Sequence, residues 1–311
     1  MELPMARPSK ALRAFPHVLI VTIAVALSVG TVTTSTNAFA QTPTMQSGQP
    51  VTVPSLPYPK SGLRQRLIAA GKAIPNVDES LQAGIPAVYF EPAAGNGNAK
   101  PPYPAVVALP DCDNHFPETW ITILRQSGYA VLLISPPNAH PTQDYCGGGE
   151  LQTPKHGLSY WAFDAISALH YLAGVKSIAP NNIAVFGYGY GAGAAQLAIY
   201  RDGHAKHYQH RFKALVGLRP QCMSEMDNFV PSLLVAVKND PFNPPAWCEW
   251  RMDRDLYNGR ELVRFEVVEN SEMIEKQTTR KTLQIENSPL VVSLVTDFLS
   301  AMGISENIGR N

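Results

Sequence analysis

The sequence predicts an α/β fold, with a mostly parallel central sheet covered by helices on both faces. From Ile85 onward, short β-rich runs alternate with helical segments, the pattern of strands joined by crossover helices. The stretch Asn182-Ile183-Ala184-Val185-Phe186-Gly187-Tyr188-Gly189-Tyr190-Gly191-Ala192-Gly193 reads as a buried strand entering a tight glycine turn and then a helix. With no internal repeat and no second compositional block, residues 63–311 form a single domain of ordinary size.

The elements follow in order. Ile85 to Phe90 and Ala105 to Leu109 are strands joined by the Gly-, Asn- and Pro-rich residues 94–103. Phe116 to Gln126 is helical and stops at Ser127-Gly128, and Ala130 to Ile134 is the next buried strand. Residues 135–157 form a long irregular loop with Pro136, Pro137, Pro141 and the run Gly147-Gly148-Gly149. Ser159 to Leu172 is a helix, since Trp161, Ala165, Ala168, Leu169 and Leu172 share one face. Ile183 to Phe186 is a strand and Tyr190 to Tyr200 the helix after the glycine turn. Strands at Phe212 to Leu218 and Ser232 to Val237, a helix at Ala246 to Tyr257 and a strand at Val263 to Val268 come next. A closing helix runs to Met302, with Ser288 as N-cap and Pro289 in its first turn. Sheets of this kind carry functional loops at the carboxyl ends of their strands, so the residues after Leu109, Ile134, Phe186, Leu218, Val237 and Val268 are the candidates.

The N-terminus has the three-part layout of a secretory signal. Arg7, Lys10 and Arg13 make a basic start, Val18 to Val29 is an apolar run of 12, and Ala38-Phe39-Ala40 is an A-x-A cleavage site. That run is short of the roughly 20 residues that span a bilayer. Residues 1–40 are therefore expected to be a signal peptide, the mature chain to be periplasmic or secreted, and no membrane span to remain. Residues 41–62, with prolines at 43, 50, 54, 57 and 59, read as a flexible leader. Cleavage removes Arg7, Lys10, Arg13 and Glu2 from 25 basic and 25 acidic residues, leaving 22 against 24. This balance gives no basic surface for nucleic acid.

Four cysteines, Cys112, Cys146, Cys222 and Cys248, in an exported chain are expected to form disulfides. Three pairings are possible. Cys112 with Cys146 and Cys222 with Cys248 are favoured, because each pair joins loops that follow nearby strands. No C-x-x-C pair is present to suggest zinc.

The glycine turn has the frame of a nucleophile elbow, G-x-S-x-G, in which a serine or cysteine sits on a sharp strand-to-helix turn between two glycines. Two frames fit, Gly187 to Gly191 and Gly189 to Gly193, placing Gly189 or Gly191 at the centre. Neither supplies a hydroxyl or a thiol.

The order of motifs resembles the dienelactone hydrolase family of α/β-hydrolases, particularly its exported, disulfide-containing members, over residues 84–303. The resemblance rests on Pro104-Ala105-Val106-Val107-Ala108-Leu109 before the oxyanion loop and Gly128-Tyr129-Ala130-Val131-Leu132-Leu133 after the first helix. It continues through Phe163-Asp164-Ala165, Asn181-Asn182-Ile183-Ala184-Val185-Phe186-Gly187, and the acid loop Asp240-Pro241-Phe242-Asn243-Pro244. It implies an α/β-hydrolase fold, Gly189 as the nucleophile position and Asp240 as the acid position. It places the family's histidine within Glu269 to Gln277, where none occurs, and His210 is the last histidine in the chain. In the oxyanion loop, Pro110 and Asp111 stand where the family has His-Gly, and Asp113 and Asn114 replace two later glycines. Proline donates no N–H, and a carboxylate beside a developing oxyanion opposes it.

The expectation is therefore an exported α/β-hydrolase-fold protein whose triad is lost, a pseudoenzyme binding a small ligand or a protein partner at the former active-site face. Pro110, Asp111, Asp113, His115, Tyr188 and Tyr190 are its candidate lining, and no cofactor is implied. One alternative is an ester or lactone hydrolase with a rearranged site, drawing on His115, His140, His156, Cys112, Ser135 or Ser271. Another is a cation-binding loop at Asp111, Asp113 and His115. His204, His207 and His210 read as a solvated helix end. Gly187-x-Gly189-x-x-Ala192 also fits a loose dinucleotide fingerprint, but the next strand ends in Arg219-Pro220 rather than in the acidic residue that motif requires.

Overall fold

Strands buried on both faces read as near-continuous apolar runs, and here such runs assemble one large sheet. The computed structural model describes residues 48–59, 62–72, 84–93, 100–139, 157–222, 226–254, 260–269, 273–275, 281–283 and 288–304. The strands β1 (Gln49–Val53), β2 (Ile85–Phe90), β3 (Tyr103–Leu109), β4 (Ala130–Ile134), β5 (Ile178–Tyr188), β6 (Leu215–Leu218), β7 (Ser232–Val237) and β8 (Val263–Val268) lie in the order β1-β2-β4-β3-β5-β6-β7-β8. β2 runs antiparallel to β1 and β4, and every pairing from β4 to β8 is parallel. A separate antiparallel pair joins β9 (Met273–Glu275) to β10 (Lys281–Leu283).

Seven helices complete the described fold: α1 (Gly62–Ala69), α2 (Glu118–Gln126), α3 (Pro136–Ala139), α4 (Leu158–Ala173), α5 (Tyr190–Ala198), α6 (Pro245–Arg254) and α7 (Pro289–Ala301). The alternation along β3 divides the core. Ala105, Val107 and Leu109 pack on the side of α4 and α5 with Trp161, Ile166 and Ala194, joined by Cys248 of α6. Val106 and Ala108 pack on the side of α2 and α7 with Trp120, Leu124, Val295 and Phe298. Trp120 and Trp161 are completely buried, one in each layer. The fold class is the one the sequence predicts.

Several boundaries differ. Residues 49–53, read from the sequence as part of a flexible leader, form edge strand β1 instead, pairing Gln49 with Tyr89 and Val53 with Ile85. Val53 is fully buried, and Pro50 and Pro54 are tolerated because an edge strand does not need every N–H. α1, α3 and the β9–β10 pair had no sequence counterpart. Ser288 precedes α7 without a side-chain cap hydrogen bond, so the expected N-cap interaction is not made. The signal segment, His140, His156 and Ser271 lie outside the described residues. Among the described residues no helix is long and apolar enough to cross a membrane.

Cys222 and Cys248 form a disulfide across a separation of 26 residues, tying the loop after β6 to α6. Cys112 is also disulfide-bonded, and Cys146, its expected partner, lies outside the described residues. A loop of that length constrains the unfolded chain by roughly 3–4 kcal/mol in the entropic account. Cys222→Ala/Cys248→Ala is expected to lower unfolding free energy by about that amount. Urea denaturation read by tryptophan fluorescence checks it, and an unchanged midpoint refutes it.

Candidate functional site

Four neighbouring strands, β3, β5, β6 and β7, bring the predicted site residues to one edge of the sheet. Asp111 follows β3, Gly189 follows β5, Arg219 follows β6 and Asp240 follows β7. The register places Leu109 beside Gly187, Tyr188 beside Leu218, and Leu218 beside Val235.

The turn is centred on Gly189, whose φ of 56° and ψ of −117° belong to a region that side chains beyond glycine rarely enter. Its N–H donates to Leu218 O at 2.9 Å, and its carbonyl accepts from Ala192 N at 3.0 Å. The flanking glycines are required by close approach. A Cβ on Gly187 would run into Gly191 O and the Ala192 backbone, and one on Gly191 into the carbonyls of Leu109 and Pro110. Gly193 has ordinary room against Leu158. Of the two frames open from the sequence, the turn uses Gly187 to Gly191.

Asp111 departs furthest from what its place in the sequence suggests. Its Oδ1 accepts from Tyr190 N at 2.8 Å and from Cys112 N at 2.8 Å. An N–H just after the elbow centre and an N–H from the β3–helix loop are the two donors from which this kind of elbow builds its oxyanion hole. From the sequence, Pro110 and Asp111 are expected to remove or oppose that hole. Both donors are present, and a carboxylate oxygen of the chain itself occupies them. The same carboxylate fills the space into which a Gly189 side chain would project.

The rest of the loop folds on itself. Asp111 N donates to His115 O at 2.8 Å, Asn114 N to Asp111 O at 2.8 Å, and His115 N to Asp113 Oδ1 at 2.9 Å. Asn114, at φ 65°, accepts from the Ser135 hydroxyl at 2.8 Å. The His115 ring meets the Tyr188 ring edge-on at 6.2 Å. The cation-loop alternative is not supported by this arrangement. Asp111 turns to the elbow and Asp113 to the backbone, and among the described residues no three metal-ligating side chains are clustered.

Asp240 has a partner that sequence reasoning missed. Arg219 donates from Nε to Oδ2 at 2.8 Å and from Nη2 to Oδ1 at 3.3 Å, and both side chains are almost wholly buried. Oδ1 also accepts from Phe242 N at 2.9 Å and Asn243 N at 3.2 Å. The acid position therefore both caps its turn and holds an arginine. Burial works against the Arg219 charge, but the hydrogen bond to Asp240 and the proximity of Tyr188 outweigh it and raise its pKa above the ordinary arginine value. Its guanidinium lies 5.8 Å from the centre of the Tyr188 ring, and its backbone takes a φ of 53°. The available signal was an arginine ending an apolar strand, one strand away from an aspartate at the same level.

Tyr188 and Tyr190 fill space rather than line an opening. Tyr188 is 1% exposed within the α2/α7 layer, whereas Tyr190 packs edge-on against Trp161 at 4.7 Å on the other side of the sheet. A hollow of about 490 Å³ lined by Ser232, Val263 and Phe298 lies at the amino ends of β7 and β8, away from Gly189. Of the three histidines expected at a solvated helix end, His207 is exposed, whereas His204 lies against Phe163 at 5.6 Å and His210 against His170 at 4.8 Å.

No family model and no curated protein matches the chain. Solved structures do. A dienelactone hydrolase-like promiscuous phosphotriesterase from metagenomic libraries matches at a TM-score of 0.52 and 12% identity, over 82% of this chain and 99% of its own. A dienelactone hydrolase from Anabaena variabilis matches at 0.46 and 15%, covering 82% and 97%. Esterase 2 of Thermogutta terrifontis matches at 0.48 and 13%, covering 74% and 93%. The chain has the α/β-hydrolase fold, and a dienelactone hydrolase-like protein is among its structural neighbours.

Proposed function

We propose that this chain is an exported α/β-hydrolase-fold protein that performs no acyl transfer at its elbow and binds a ligand or partner on that face. The observation that carries the reading is the Asp111 carboxylate on the donors from Tyr190 and Cys112, in the space where a nucleophile's side chain would stand. Acyl-transfer catalysis needs a nucleophile, a base, and an empty oxyanion site. Gly189 supplies no nucleophile, Asp240 holds Arg219 instead of a histidine, and the oxyanion donors are engaged. Export is supported by the basic, apolar and A-x-A segments of residues 1–40 and by the Cys222–Cys248 disulfide. We take residues 1–40 as the signal and the folded domain as beginning with β1, after a short leader.

Steady-state assays of the mature chain with p-nitrophenyl acetate and a simple lactone test this reading. No sustained turnover above the protein-free rate is expected. Sustained turnover that falls in Asp111→Asn or Asp240→Asn would overturn it in favour of a rearranged ester or lactone hydrolase.

A further inference from the structure

Away from the elbow, a serine, a histidine and a tyrosine converge at the start of α4. Ser159 Oγ lies 2.8 Å from His204 Nε2, and the Tyr58 hydroxyl lies 3.4 Å from the same nitrogen. The three come from distant parts of the chain. Tyr58 follows β1, Ser159 opens α4, and His204 opens the 3-10 turn His204–His207. The imidazole is held edge-on to the Tyr58 ring at 5.1 Å and to the Phe163 ring at 5.6 Å.

These surroundings fix its chemistry. Burial lowers the His204 pKa, and the charge of His207 lowers it further, which favours the neutral ring. A neutral imidazole within hydrogen-bond reach of a hydroxyl is the pairing that converts an alcohol into a nucleophile. Ser159 is solvent-exposed. It stands in the first turn of a 16-residue helix that lacks a side-chain cap, where the helix dipole favours developing negative charge. Tyr58 also lines an open hollow of about 350 Å³ formed with Pro57, Pro59, Gln65, His207 and Tyr208. Two phenol rings and two prolines suit a flat aromatic group.

We propose that Ser159 is a site of covalent acyl modification, taking an acyl group from an aryl ester with His204 as its base. Ser159 Oγ bonds to the acyl carbon as its proton passes to His204 Nε2. The bond from the acyl carbon to the aryl oxygen then breaks, the phenolate departs with the electron pair, and the imidazolium gives up its proton. Among the described residues no carboxylate is bonded to His204, so the imidazolium lacks an orienting acid and the acyl-serine accumulates instead of turning over.

Incubation of the mature chain with p-nitrophenyl acetate, followed by peptide mass spectrometry, tests this. The expected result is one acetyl group per chain on the Ser159 peptide, with a burst of one equivalent of p-nitrophenolate. His204→Gln lowers the acetylation rate about a hundredfold, the scale of general-base assistance. Ser159→Ala abolishes both adduct and burst, and as an exposed position leaves the melting temperature unchanged. Acetylation confined to lysines, or acetylation of Ser159 at the parent rate in His204→Gln, overturns the proposal. A burst confined to Ser159 leaves the elbow reading intact. Sustained turnover that survives Ser159→Ala and falls in Asp111→Asn counts against the elbow reading alone.

Discussion

Gly189→Ser is expected to destabilise the protein by about 2–5 kcal/mol and to create no esterase activity. Two costs combine. The backbone at φ 56° and ψ −117° is strained for any side chain, and the new Cβ enters the volume held by the Asp111 carboxylate. Relief requires Asp111 to rotate away, breaking its hydrogen bonds to Tyr190 N and Cys112 N. No esterase activity is expected from the new hydroxyl, because Asp240 faces an arginine rather than a histidine. Thermal unfolding checks the first claim, with Tm falling by roughly 5–15 °C for a domain of this size. The double variant Asp111→Gly/Gly189→Ser is expected to lose less than the sum of the two single changes, by about 1 kcal/mol or more, because the collision is absent from it and the loss of the Asp111 hydrogen bonds is counted twice in that sum. Full additivity would mean that the two residues do not compete for one space.

Arg219→Ala carries the second large effect, a loss of about 3–5 kcal/mol, because it strands a buried carboxylate. The geometry explains why lysine is a poor substitute. Arg219 engages both oxygens of Asp240 in a fork while its guanidinium carbon lies 5.8 Å from the centre of the Tyr188 ring, and a single ammonium cannot reproduce that arrangement. Adding Asp240→Asn to Arg219→Ala is expected to recover part of the loss by removing the stranded charge. The recovery is incomplete, because Oδ1 also receives the N–H groups of Phe242 and Asn243. Chemical denaturation of the two variants decides it. A loss below about 1 kcal/mol for Arg219→Ala would assign the pair to the weak class typical of solvated ion pairs.

The fold is legible in the sequence through features that are local or periodic. The 3.6-residue spacing in α4, the apolar runs of β3 to β8 and the glycine frame around Gly189 are each visible in one short stretch. The missing histidine was equally legible, since residue type needs no coordinates. The contents of the site were not. Asp111 reaches Tyr190 across 79 residues and Arg219 reaches Asp240 across 21. Each pairing depends on which strands lie side by side, and on rotamers that no pattern encodes. β1 escaped notice for a different reason: an edge strand flanked by two prolines has the composition of a linker, and only pairing with β2 distinguishes them. The Tyr58–Ser159–His204 group needed three segments to fold together before its members met.

The row of strand ends from β3 to β7 also sets how quickly anything can arrive there. Its buried cation Arg219 and the Asp240 carboxylate neutralise each other in direct contact, the Asp111 carboxylate is quenched by two backbone dipoles, and exposed Lys238 is paired with Glu269, which leaves the exposed carboxylate of Asp113 in solvent. With most of its charge paired or buried, such a rim projects little field into solvent and steers a charged molecule only weakly from a distance. Encounter rates at this face belong to the unassisted range of about 10⁵–10⁷ M⁻¹s⁻¹ and change little with ionic strength. Selectivity there is consequently a matter of residence time, set by fit and by the hydrogen bonds a visitor can exchange with Asp111 after contact.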